Sequence, residues 1–131
     1  MRIAFLASVV LAIGILGAAA PTRAAGQAPD SRTCNDTANP PKDAVTQGGC
    51  LAIARAKGNC QACHFVAGTA AGNIAPPLVS MAQRFPDKSR LRAQLEDPRQ
   101  FNAHTVMPPY GKHRIMSAEE IDKVIAWLLT L

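Results

Sequence analysis

Five consecutive residues, Cys60-Gln61-Ala62-Cys63-His64, carry the most specific chemistry in the chain. Two thiols at this spacing can each add to a vinyl group along one edge of a porphyrin, and the histidine that follows then lies under the iron. The C-x-x-C-H run therefore points to haem c, one per chain, because no other thiol pair repeats the spacing. A bare C-x-x-C also serves as half of a zinc site or as a thioredoxin-like redox pair. Here no second C-x-x-C or H-x-x-x-H follows and no βαβ pattern surrounds it, so haem attachment is the favoured reading.

An iron held by His64 takes its second axial ligand from a methionine or histidine elsewhere. The candidates are Met81, Met107, Met116, His104 and His113. Met81 falls in a short apolar helix and Met116 just before a capped one, where methionine commonly fills core. Met107 stands in Thr105-Val106-Met107-Pro108-Pro109-Tyr110-Gly111, an irregular run whose prolines fix the backbone. Met107 is the expected ligand, and the two histidines are assigned to the surface. A thioether favours ferrous iron, so this pair implies a higher potential than two histidines would. The other ring nitrogen of His64 needs an acceptor to orient the ring. The carbonyl of Pro76, in the Ala75-Pro76-Pro77-Leu78 turn, is the expected one; the alternative is that these prolines only end a loop.

Around these residues the elements are short. Asp43 can cap a helix running to about Ala56, with Val45, Leu51 and Ile53 among its apolar positions. Gly48 and Gly49 weaken that helix intrinsically, and these small residues with Ala52 make sense if another helix crosses it closely. Lys57 to Pro77 reads as a loop around a site. Helices are expected over Leu78 to Arg84 and Asp87 to Glu96, the second stopped by Pro98, and Arg99 to Gly111 is loop again. The clearest element is the last, where Ser117 and Glu120 form a capping box and Ile121, Val124, Ile125 and Leu128 recur at helical spacing. Trp127 and Leu131 widen its apolar face. No window alternates as a strand would, so the fold class is all α, with one small domain over residues 43–131 wrapped around one covalent haem.

The N-terminus reads as an address. Met1 and Arg2 give a basic start, Ile3 to Leu16 is apolar, and Gly17 to Ala25 is rich in alanine, the order of a secretory signal peptide. Cleavage is expected between Ala20 and Gly26, most simply after Ala24, leaving 1–24 as signal and 25–42 as an extended polar segment. An uncleaved anchor is the alternative, since Ile3 to Ala20 is just long enough to span a bilayer. Export implies the periplasm, an oxidising compartment in which the two remaining cysteines, Cys34 and Cys50, can pair. The 131-residue chain has 14 Lys and Arg against 9 Asp and Glu. Arg2 and Arg23 leave with the signal, and two haem propionates bring the rest closer to neutral, so the charge argues for neither nucleic acid nor a membrane partner. Downstream of the leader the aromatic residues are Phe65, Phe85, Phe101, Tyr110 and Trp127. A domain this small and this poor in aromatic mass is helped by a porphyrin at its centre.

A helix, C-x-x-C-H, a Pro-Leu turn, a methionine loop and a final helix with an aromatic residue together resemble class I cytochromes c. More closely, GNCQACH from Gly58, GNIAPPL from Gly72, RFPDKSRLRAQLEDP from Arg84 and TVMPPYGKHRIMSAEEIDKVIAWL from Thr105 resemble the SoxX family, the monohaem subunits of SoxAX sulfur-oxidation complexes. These segments cover most of Gly49 to Leu131. The resemblance implies a subunit of an L-cysteine S-thiosulfotransferase, which joins thiosulfate oxidatively to a cysteine of the carrier SoxYZ and releases two electrons in the periplasm. It also implies a heterodimer with a monohaem or dihaem SoxA-like cytochrome that bears the sulfur-handling cysteine. The SoxX haem then passes electrons to a small cytochrome, and no residue of the chain is itself catalytic. A free-standing periplasmic electron shuttle carries the same haem motifs, and a gas- or peroxide-handling protein would need an open iron position.

Overall fold

The computed structural model describes residues 26–69 and 72–131, so the expected signal peptide, 1–24, lies outside the described residues. Among the described residues five α-helices follow one another: α1 Ser31–Asn35, α2 Ala44–Ile53, α3 Met81–Arg84, α4 Lys88–Glu96 and α5 Ala118–Leu128. Single 3-10 turns stand at Cys60–Ala62 and Pro98–Gln100. Among the described residues there is no strand, only one isolated parallel bridge between His64 and Ala75. The class is all α, as the missing alternation implies.

The crossing of α2 and α5 organises the core. Ser117 caps α5 by accepting from the Glu120 N–H, while Glu120 accepts from the Ser117 N–H at 2.8 Å. Its buried face is Ile121, Val124, Ile125, Trp127 and Leu128. On α2, Asp43 accepts from the Thr46 N–H at 2.7 Å, and the buried residues are Gly48, Gly49 and Ala52. A Cβ at Gly48 would overlap the Lys123 carbonyl of α5. The glycine that weakens α2 as a helix is thus what lets two backbones touch.

Three local differences from the sequence reading have physical reasons. α2 stops at Ile53, short of Ala56, where the chain turns back so that the Gly58 N–H reaches the Leu51 carbonyl at 3.0 Å. Leu78 to Ser80 is not helical: Ser80 takes φ +51° and the helical turn begins only after it, at Met81, while the Leu78 N–H donates to the Phe65 carbonyl at 2.9 Å. Within the segment read as extended, Asp30 caps the single turn α1, and a disulfide joins Cys34 to Cys50 of α2. Just before α1, Trp127 Nε1 donates to the Gln27 carbonyl at 3.2 Å and the Ala28 N–H to the Ala67 carbonyl at 2.9 Å. The polar N-terminal segment is therefore laid against the end of α5.

Candidate functional site

Asn59, in the left-handed region at φ +46°, turns the chain into the Cys60–Ala62 turn. Asparagine tolerates that conformation better than most residues. The Cys63 and His64 N–H groups both donate to the Cys60 carbonyl, at 3.2 and 2.9 Å, so the two thiols and the imidazole leave one tight coil. Neither thiol is in a disulfide. Burial pushes the Cys60 thiol up to about 11, which keeps it protonated at neutral pH.

The returning segment 72–78 runs along 61–65 as a strip of main-chain bonds. The Gly72 N–H donates to Gln61, those of Ile74 and Ala75 to Cys63, and that of Leu78 to Phe65, at 2.8 to 3.0 Å. The strip brings the Pro76 carbonyl to 2.6 Å from His64 Nδ1. A carbonyl only accepts, so Nδ1 carries the proton and donates, and Nε2 keeps the free lone pair that a metal needs.

A second wall comes from the run after α4. The Met107 N–H donates to Thr105 Oγ1 at 3.1 Å, and Met107 Sδ accepts from Gln94 Nε2 at 3.6 Å. Tyr110 is buried, and its hydroxyl donates to the Gly58 carbonyl at 2.6 Å, the tie between this run and the cysteine loop. Burial raises the phenol, ahead of the charges of Cys60 and Cys63, so it remains a donor at neutral pH.

Cys60, Cys63, His64, Pro76 and Met107 all line one cavity of about 440 Å³. Its remaining walls are largely apolar, with Leu78, Met81, Leu91, Leu95 and Leu128 among them. That size and lining fall in the range of cofactor sites. Of the other ligand candidates, Met81 lines the cavity too, but it is buried in α3 with its sulfur 3.4 Å from Arg84 Nη1. Met116 lines a separate pocket beside Asp97 and Lys112. His104 and His113 are exposed and do not line the cavity. The site thus fits a porphyrin: two free thiols on one lip, an imidazole with its second nitrogen already engaged, and a thioether against an apolar chamber.

Sequence reasoning left out Gln94, Tyr110 and Asn59. Gln94 had a local signal, since it shares a face of α4 with Leu91 and Leu95. Tyr110 had none, because its partner lies 52 residues away.

The cytochrome c family model matches residues 52–131. Among solved structures, the chain is similar to a chain of SoxXA from P. pantotrophus, with 25% identity and a TM-score of 0.59, over 66% of this chain and 80% of that one. No curated protein sequence matches it.

Proposed function

The chain belongs to the cytochrome c family, and from that premise we propose that it is a periplasmic, monohaem electron-transfer subunit paired with a SoxA-like cytochrome. The family match and the likeness to SoxXA support a SoxX-like electron-transfer cytochrome. In this reading Cys60 and Cys63 would hold haem c through thioether bonds, and His64 and Met107 would supply the protein ligands to its iron. Haem c, when bound, supplies one-electron chemistry at its iron. The chain does the rest. The Pro76 carbonyl holds the His64 ring with Nε2 available, Thr105 holds the Met107 main chain and Gln94 its sulfur, and Leu78, Leu91 and Leu95 line the chamber. Excluding water limits what must reorganise when charge changes.

One observation carries the reading: an imidazole and a thioether line the same apolar chamber as two free thiols. A SoxA-like heterodimer partner is supported by the likeness to a chain of SoxXA. Electrons released when thiosulfate is coupled to a carrier cysteine would reach this haem through that partner and leave to a small cytochrome. Export is supported by the leader-like order of residues 1–24 and by the bridged Cys34 and Cys50, which suit an oxidising compartment.

Purification of the native protein from the periplasm tests the proposal. The expected result is a mature chain plus one haem that resists acid acetone, accompanied by a second c-type haem subunit. Release of free haem would overturn the attachment. A stable monomer with no haem-bearing partner would turn the reading into a free-standing shuttle.

A further inference from the structure

We propose that residues 26–34 form a redox-latched strap over Trp127, fastened when Cys34 and Cys50 join in a disulfide and opened by a dithiol reductant. The family match begins at residue 52, so the strap lies outside the matched domain. Its foot rests on the core. Trp127 Nε1 donates to the Gln27 carbonyl at 3.2 Å, and the Ala28 N–H donates to the Ala67 carbonyl at 2.9 Å. Pro29 is buried, and its ring fills the space that a Cβ on Gly49 of α2 would need, beside Trp127. Further on, Cys34 is bonded to Cys50, the next residue of α2. The strap is therefore pinned twice, on neighbouring residues of one helix, and Trp127 beneath it is only 2% exposed.

Between and beyond the pins the strap does little to hold itself. α1 has 5 residues and buries none of them, and a helix that short has no stability of its own. Among the described residues, 30–39 form hydrogen bonds only within that run, and none of them is in an ion pair. The bridge is thus what returns a loosened foot to its seat. With the bridge made, Ala28 is tethered through Cys34; without it, through the longer run to Ala44, where α2 begins. By the inverse three-halves power of tether length, closure then becomes about fourfold less favourable. The exchange balances without the iron: the dithiol gives up two electrons and two protons and becomes a disulfide, and Cys34 and Cys50 become thiols. Both cysteines are half-buried, so a small dithiol reaches the bridge in the folded protein. The two cysteine pairs answer differently to the compartment, since thioether-bound Cys60 and Cys63 would ignore a dithiol while the strap follows it. The inference stands whichever side chains ligate the iron.

The test is hydrogen exchange of the ferrous holoprotein, read by NMR at the Ala28 amide and the Trp127 indole N–H before and after treatment with dithiothreitol. Keeping the iron ferrous throughout means that the reductant changes nothing at the haem. Both groups should exchange about fourfold faster once Cys34 and Cys50 are alkylatable, and reoxidation should restore the first rates. The holoprotein carrying Cys34→Ser and Cys50→Ser should match the reduced parent with or without dithiothreitol. If that variant does not assemble, the reduced parent carries the test alone. Unchanged exchange after full reduction would mean that the foot seats itself, and would overturn the latch. So would a bridge that yields to the dithiol only in denaturant. If the two groups exchange no faster than the Val124 and Ile125 amides, the strap opens only with the whole domain, and the latch is overturned as well.

Discussion

The two walls of the cavity are built by different means. The His64 wall is a strip of main-chain bonds between 61–65 and 72–78, all within a short stretch of sequence, and even its ring acceptor is a backbone carbonyl. The Met107 wall depends on side chains: Thr105, Gln94 from α4, and the Tyr110 hydroxyl on Gly58. Main-chain bonds survive most substitutions, whereas a side-chain tie is lost with one. Of the two proposed ligands, the methionine is therefore the one that mutation and acid should dislodge, while the histidine and the proposed thioether links should stay.

The largest effect that separates the walls is expected from Met107→Ala. Attachment through Cys60 and Cys63 should be intact, the sulfur-to-iron band should vanish, and the potential should fall because the ligand favouring ferrous iron is gone. Should the band persist here and disappear in Met81→Ala, the wrong methionine faces the iron. Next is Tyr110→Phe, which leaves the buried Gly58 carbonyl unpaired and should cost about 1–2 kcal/mol in thermal or denaturant unfolding. A cost near zero would mean that the two walls are not tied through this hydroxyl.

Acid should act on the same wall. Asp97 follows α4 and holds both ends of the methionine run, accepting from Arg99 Nε at 2.7 Å and pairing with Lys112 Nζ at 3.2 Å. The Arg99 guanidinium holds the Asp97 carboxyl well below the usual carboxylate range, with Lys112 adding to it. A carboxyl whose folded pKa lies below its unfolded value contributes stability at neutral pH. That contribution is lost as pH falls from about 4 through the folded value. Ferric holoprotein titrated into acid should lose its sulfur-to-iron band in that window while the covalent haem remains. Lys57 lowers Glu120 too, so Glu120 titrates in the same direction, and Asp97→Asn is the control. The asparagine variant should lack the Asp97 part of the profile; superimposable acid profiles would remove Asp97 as an anchor of this wall.

What was readable in the sequence divides along the same line. C-x-x-C-H, the α5 capping box and the Gly48-Gly49 pair declare themselves because each encodes its requirement locally: a spacing, a reciprocal bond, a missing Cβ. The all-α class and the electron-transfer reading follow from them. The apolar residues around Leu78 suggest a helix, but Ser80 at φ +51° delays its start to Met81. The α1 turn went unread because five residues carry no periodicity. The spacing of Gln94 with Leu91 and Leu95 puts it on the inner face of α4 but does not announce its partner Met107, and nothing local announces Tyr110 on Gly58.

The smallest effect is expected from Pro76→Ala, and it tests whether the His64 wall is as independent of side chains as its bonds suggest. The atom that orients His64 is the Pro76 carbonyl oxygen, 2.6 Å from Nδ1, which alanine would also supply. Residue 76 precedes Pro77, whose ring disfavours the helical region for the residue before it, so alanine at 76 should remain extended. Pro76 itself is exposed. What remains is the greater freedom of the unfolded chain, worth about 0.4–1 kcal/mol. The variant should therefore unfold slightly earlier and keep the potential and the ferric spectrum of the parent. If instead its potential moved as far as that of Met107→Ala, the proline ring and not the main-chain strip would be holding the histidine. The contrast between the two walls would then fail at its stronger side.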